Sequence, residues 1–185
     1  MKPVAKGVCA SGLFFALIST AADEANVDSS TRMEVAFCPE AGAQDLIIKT
    51  ISAADQSVRL AGFAFSSLLI VQALITAKQR GVDVQVVVNY AHNVADDSKG
   101  IGRNALARLV QAKIPVKTND AYRKLHDKFI VVDGKHVQTG SYNYAASANR
   151  NSENVLVAWN APALAQQYLQ HWQSRFDEGS PYSPQ

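Results

Sequence analysis

The chain has 185 residues, 48% of them apolar and 18% charged, and a formal net charge of +2. That length fits one domain with a sizeable core, and that composition excludes an intrinsically disordered chain. Two cysteines, Cys9 and Cys38, exclude a disulfide scaffold, and a net charge this small identifies no partner by itself.

In chain order, Lys2 and Lys6 precede an uncharged stretch from Gly7 to Ala22 that includes Leu13, Phe14, Phe15, Leu17 and Ile18 and ends on small residues. This order predicts a cleavable signal over 1–22 of bacterial character. The apolar run falls short of the roughly 20 residues a spanning helix needs, so a periplasmic or secreted protein without stable membrane insertion is expected. Cys9 leaves with that segment, and Cys38 reads as buried filler. Residues 23–32 lack periodicity and read as a flexible lead-in, followed by a single domain over 33–179.

Within that domain, Met33–Cys38 predicts a strand. Ala43, Leu46, Ile47, Thr50, Ile51 and Ala54 recur at helical spacing. Val58–Phe65 predicts a second strand, and Ile70, Ala73, Leu74 and Ala77 mark a second helix that stops at Arg80-Gly81. Val84–Val88 is a β-branched run suited to a strand covered on both faces. Ala91–Gly100 reads as a polar loop before a helix through Ala105, Leu109 and Ala112. Val116–Thr118, Phe129–Val132, His136–Thr139 and Val155–Trp159 are further strands, the middle pair joined by the Asp133-Gly134 turn. Leu164, Tyr168, Leu169, Trp172 and Phe176 line a last helix, with 180–185 as a polar tail. The expected fold class is therefore α/β, a mixed β-sheet sandwiched between helices on both faces.

Charge is unevenly placed. Residues 99–150 carry 10 basic and 3 acidic groups, against 5 and 10 over residues 23–98. A locally basic segment suits an anionic substrate, phosphate above all. The same segment holds LHDKFIVVDGKHVQTGSYNYAASANRNSEN, Leu125 to Asn154. On a strand, side chains alternate between faces, so His126 and Lys128 are expected to point the same way. Gly140 and Ser141 end the next strand and allow close approach of a ligand, with Ser141 and Asn143 able to bond phosphate oxygens. Tyr142 and Tyr144 are assigned to packing, with base stacking as the lesser alternative; His136, His92 and His171 are read as structural or surface residues, though the His92 loop can reach a substrate.

With His126, Lys128, Asp133, Gly140, Ser141 and Asn143 all in place, the segment resembles the phospholipase D signature H-x-K-x4-D-x6-G-S-x-N. The chain from about Met33 to Tyr182 is similar to the small single-motif bacterial nucleases of that superfamily, through Ala36–Glu40, Arg80–Val84, Asn151–Asn154 and His171–Phe176. The resemblance implies a phospholipase D-like single domain and a metal-independent phosphodiesterase without a cofactor. It implies that His126 attacks phosphorus as a neutral imidazole, that Lys128 and Asn143 bind the phosphate oxygens, and that Glu153 orients His126 with Ser141 in support. Asp133 is carried over as a structural member of the motif. Arg103, Arg123 and Lys124 are expected backbone contacts to the substrate. One motif supplies one histidine, so a homodimer sharing its site is expected. The leading substrate is DNA, with RNA next to it, cut by a nonspecific endonuclease. The alternatives are a phospholipase D acting on a phosphatidylcholine-type headgroup and a non-catalytic nucleic-acid-binding module.

Overall fold

The computed structural model describes residues 30–40 and 42–184, so the expected signal over 1–22 and nearly all of the lead-in lie outside the described residues. Twelve regular elements follow: β1 (Arg32–Cys38), α1 (Ala43–Ser52), β2 (Ser57–Gly62), α2 (Leu68–Gln79), β3 (Asp83–Asn89), α3 (Ile101–Gln111), β4 (Val116–Asn119), β5 (Lys128–Val132), β6 (His136–Gly140), β7 (Glu153–Trp159), α4 (Pro162–Asp177) and β8 (Ser180–Pro181). The strands form one sheet in the order β1-β7-β6-β5-β2-β3-β4-β8. The β2–β3 and β3–β4 pairs are parallel and the other five antiparallel, which makes the sheet mixed as expected.

Strand alternation sorts the core into two layers. Leu60, Val86, Val88, Ile130, Val132 and Val157 pack with Ile47, Ile51, Leu74 and Leu106, so α1, α2 and α3 cover one face. Ala61, Val87, Phe129, Val131 and Val137 pack with Ala165 and Trp172, so α4 covers the other. Each fully buried Val or Ile contributes roughly 2 kcal/mol. The Trp172 indole N–H also donates to the carbonyl of Leu60 at 2.9 Å, pinning α4 across the middle of the sheet. At the β1 end of the sheet, Met33, Val35 and Phe37 stay half exposed, at 50%, 57% and 50%.

Three local expectations change. The strand expected through Phe65 ends at Gly62, where an added Cβ would stand 3.1 Å from the Tyr144 ring. Phe63 then leaves the sheet, and Phe65 forms an isolated bridge with Tyr144. The polar loop at Ala91–Gly100 opens with a π-helical turn, Ala91–Ala95. It is built by side chains that periodicity cannot register: Asn89 Oδ1 accepts the His92 N–H at 2.8 Å, and the buried Asn93 bonds backbone on both sides. The expected tail starts with β8, which pairs Ser180 and Pro181 with Thr118 and Lys117, and the Tyr182 N–H donates to the Val116 carbonyl at 2.9 Å.

Candidate active site

The carboxyl end of β2, the start of β5 and the end of β6 meet at one end of the sheet's central strands. There, a cleft of about 660 Å³ is lined by His126, Lys128, Gly140, Ser141, Asn143 and Glu153, with Asp127, Phe129 and Thr139 beside them and Gln167, Tyr168 and His171 of α4 closing one wall. His126 precedes β5 rather than lying in it, and Lys128 is the first residue of that strand, opposite Gly62. The Lys128 ammonium donates to the His126 carbonyl at 2.8 Å, so the two residues of the motif are tied through their own backbone.

The signature glycine has a steric cause. Gly140 sits at φ 153°, and a Cβ there would lie 2.2 Å from the Asn154 carbonyl oxygen. Only glycine lets β6 run this close to the start of β7. Ser141 takes up that proximity, donating to Glu153 at 2.5 Å while its Oγ accepts the Asn154 N–H at 3.0 Å. Glu153 accepts a second bond from Asn151 Nδ2 at 3.0 Å. The expected Ser141–Glu153 link is therefore present, whereas the expected Glu153–His126 bond is not made within one chain among the described residues. Asn143 stands in the cleft wall with its side-chain oxygen buried and unbonded.

Electrostatics favour an uncharged imidazole. Partial burial, then the positive charges of Lys128 and Lys124, push the His126 pKa below its ordinary value, and Asp127 opposes them. Burial likewise lowers Lys128, with Asp127 and Glu153 pulling the other way. The His126 ring packs on Phe63 at 4.7 Å between centroids, and the ammonium groups of Lys128 and Lys124 lie 5.3 and 5.8 Å from the same Phe63 ring. An aromatic residue thus sits among two lysines and the histidine.

A family model described as "Cardiolipin synthase, PLD-like domain" matches residues 47–176. A phospholipase D of Rickettsia prowazekii (strain Madrid E) is 36% identical over 148 residues, 80% of this chain and 69% of that protein. The mitochondrial cardiolipin hydrolase of Xenopus tropicalis is 30% identical over 131 residues, 70% of this chain and 59% of that one. Among solved structures, Nuc from Salmonella typhimurium, a phospholipase D family member, superposes with a TM-score of 0.79 at 36% identity, covering 83% of this chain and 99% of Nuc.

The chain belongs to the phospholipase D superfamily.

It is a phosphodiesterase of that superfamily, and its signature residues are placed unequally. His126, Lys128, Ser141, Asn143 and Glu153 converge on the cleft. Asp133 does not: it lies at the far end of β5, where its carboxylate accepts the backbone N–H groups of Asp55, Gln56 and Ser57 at 2.8–3.0 Å. Those bonds tie the end of β5 to the start of β2. Lys124 stands near the site over Phe63, and Arg123 is exposed on the same loop. Arg103 corrects the expectation of a substrate contact here. Its guanidinium donates to the Val94 carbonyl at 2.9 Å, and it lines a different groove with Tyr90 and Thr118. The phospholipase D cleft also gains residues not read from the sequence. His171 contacts Asp127 at 3.2 Å, Gln167 and Tyr168 join it from α4, and Phe63 supports the His126 ring. Helical spacing placed Tyr168 on the apolar face of α4, but which strands that face covers is a tertiary fact. Tyr142 and Tyr144 are fully buried, bonded to Asn149 and Gln138, and so unavailable to a base.

Proposed function

We propose that this phosphodiesterase is an exported, metal-independent endonuclease, acting on DNA and also on RNA through a phosphohistidine formed in a homodimeric site. The observation that carries the reading is His126: an imidazole held toward its neutral form, beside Lys128 and Asn143, in a cleft large enough for a phosphodiester. Its ring nitrogen attacks phosphorus, the phosphorus–oxygen bond to the leaving alcohol breaks, and Lys128 and Asn143 stabilise the charge gathering on the two non-bridging oxygens. The departing alkoxide takes a proton from the partner subunit's His126. Water then attacks phosphorus, giving a proton to that same partner ring, as the phosphorus–nitrogen bond breaks and frees His126.

A second copy is central to the reading because one chain supplies one such imidazole. Supporting it, Met33, Val35 and Phe37 form an exposed apolar row on the face opposite α1, beside the strand that carries Glu153. A symmetric partner covering that row brings two clefts together. It would also offer the partner subunit's Glu153 to His126, which no carboxylate hydrogen-bonds among the described residues.

Nucleic acid is favoured over a choline lipid by the two ammonium groups around Phe63. A quaternary ammonium headgroup seeks an aromatic face free of positive charge, whereas an anionic strand is drawn to this one. Purified protein is expected to nick supercoiled plasmid in excess EDTA, with at least 100-fold loss in His126→Ala. Headgroup release from phosphatidylcholine vesicles without nicking, or nicking that stops in EDTA, would overturn the proposal.

A further inference from the structure

Beside the phosphate cleft, the π-helical turn at Ala91–Ala95 is held by more bonds than a surface loop needs. Asn93, 1% exposed, donates from Nδ2 to the carbonyls of Phe63 and Asn89 at 2.6 and 2.7 Å, and accepts the Phe65 N–H at 2.8 Å. Asn89 in turn accepts the His92 N–H at 2.8 Å. The helix that follows closes in from behind: a Cβ on Gly102 would stand 2.9 Å from the Asn93 carbonyl oxygen. Asp97 caps that helix, its carboxylate accepting the N–H groups of Ile101 and Arg103 at 3.1 and 2.9 Å. One buried amide thus locks the backbone of Phe63 to the turn that carries His92.

Two rings are positioned by that lock. His92, exposed, lies 4.6 Å from Phe63 at an interplanar angle of 37°, and Phe63 in turn lies 4.7 Å from the His126 ring. Three aromatic rings therefore run in contact, from the exposed His126 at the cleft through the half-buried Phe63 to the exposed His92, with Lys124 and Lys128 alongside. A packed core would not leave the outermost ring exposed, and π-helical turns are concentrated at functional sites.

We propose that Phe63 and His92 form a stacking ledge for the nucleobase of the nucleotide adjoining the scissile phosphate. This rests on the nuclease reading of the same cleft and names the subsite beside it. Every base has a π face, so such a ledge grips a strand without reading its sequence. The two lysines attract the flanking phosphates while the base covers His92. Because the Asn93 bonds fix the ledge in advance, little ordering accompanies binding.

The test compares three p-nitrophenyl diesters that share one leaving group: thymidine 5′-(p-nitrophenyl phosphate), its 3′ isomer, and methyl p-nitrophenyl phosphate, which has no base. In His92→Ala, the ratio of kcat/KM on one thymidine ester to that on the methyl ester is expected to fall about tenfold, mostly through KM. His92→Tyr, which restores a ring, is expected to keep the ratio. Equal slowing on all three esters would reduce His92 to a structural part, and an unchanged ratio would remove the ledge while plasmid nicking continued. Loss of the nuclease reading itself shows differently, as vesicle hydrolysis without nicking in the wild-type protein.

Discussion

On the His126 ring, partial burial and the ammonium groups of Lys128 and Lys124 together outweigh Asp127 and hold the pKa below 6.5, its ordinary value. A lowered pKa means that the ring stays neutral, and so able to attack, into more acidic solution. The acid limb of kcat/KM is therefore expected below pH 6.5. Lys124→Gln removes one of the charges that lower it, so the limb should move up toward 6.5, whereas Arg103→Gln should leave it in place, since Arg103 is bonded to Val94 in a different groove. A pH–rate series on a small phosphodiester measures this, and a limb that ignores Lys124 would contradict the electrostatic account of the nucleophile.

Among the elements, the β5–β6 hairpin shows how one signature residue serves the fold. Asp133 and Gly134 both take positive φ, 53° and 61°, and the Asp133 carboxylate reaches across to the N–H groups at the start of β2. Burial would raise its pKa, but the bonds from Ser57, Asp55 and Gln56, helped by Lys135, outweigh burial and leave it below the ordinary 3.8. A carboxyl depressed in the folded state stabilises the protein above the unfolded value, and that contribution disappears as the pH falls through the folded value. Asp133→Ala removes the acceptor of three N–H groups, two of them open to water, so it should destabilise by on the order of 1 kcal/mol at neutral pH, a Tm drop of roughly 3 °C. Below pH 3.8 the gap from wild type should narrow. The kcat of the folded variant should survive, because a five-residue strand, about 13 Å long, separates Asp133 from the cleft.

For the whole molecule, the consequential surface is the apolar row on β1. Met33, Val35 and Phe37 point away from α1, so changing them leaves the core intact. Val35→Glu sets a carboxylate where the proposed partner would bury it, an unpaired charge costing several kcal/mol. Sedimentation should then show a folded monomer, with nuclease activity falling alongside the dimer. A Val35→Glu dimer of wild-type affinity, or a fully active monomer, would contradict the shared site.

The sequence by itself determined the layered α/β fold, because periods of two and 3.6 are local and each apolar stripe must find a layer to cover it. It also determined the cleft residues of the signature, since a short run through β5 and β6 carries them. Where it stopped, side chains distant in sequence took over. Only the tertiary structure ended β2 at Gly62 against Tyr144, turned a polar loop into a π-helical turn through Asn93, and carried Arg103 away from the phosphate cleft. It alone brought His171 of α4 to Asp127 and left Glu153 bonded to Ser141 rather than to His126. Periodicity specifies which face of an element is buried, but the neighbours across that face are fixed only when the whole sheet and its helices pack at once.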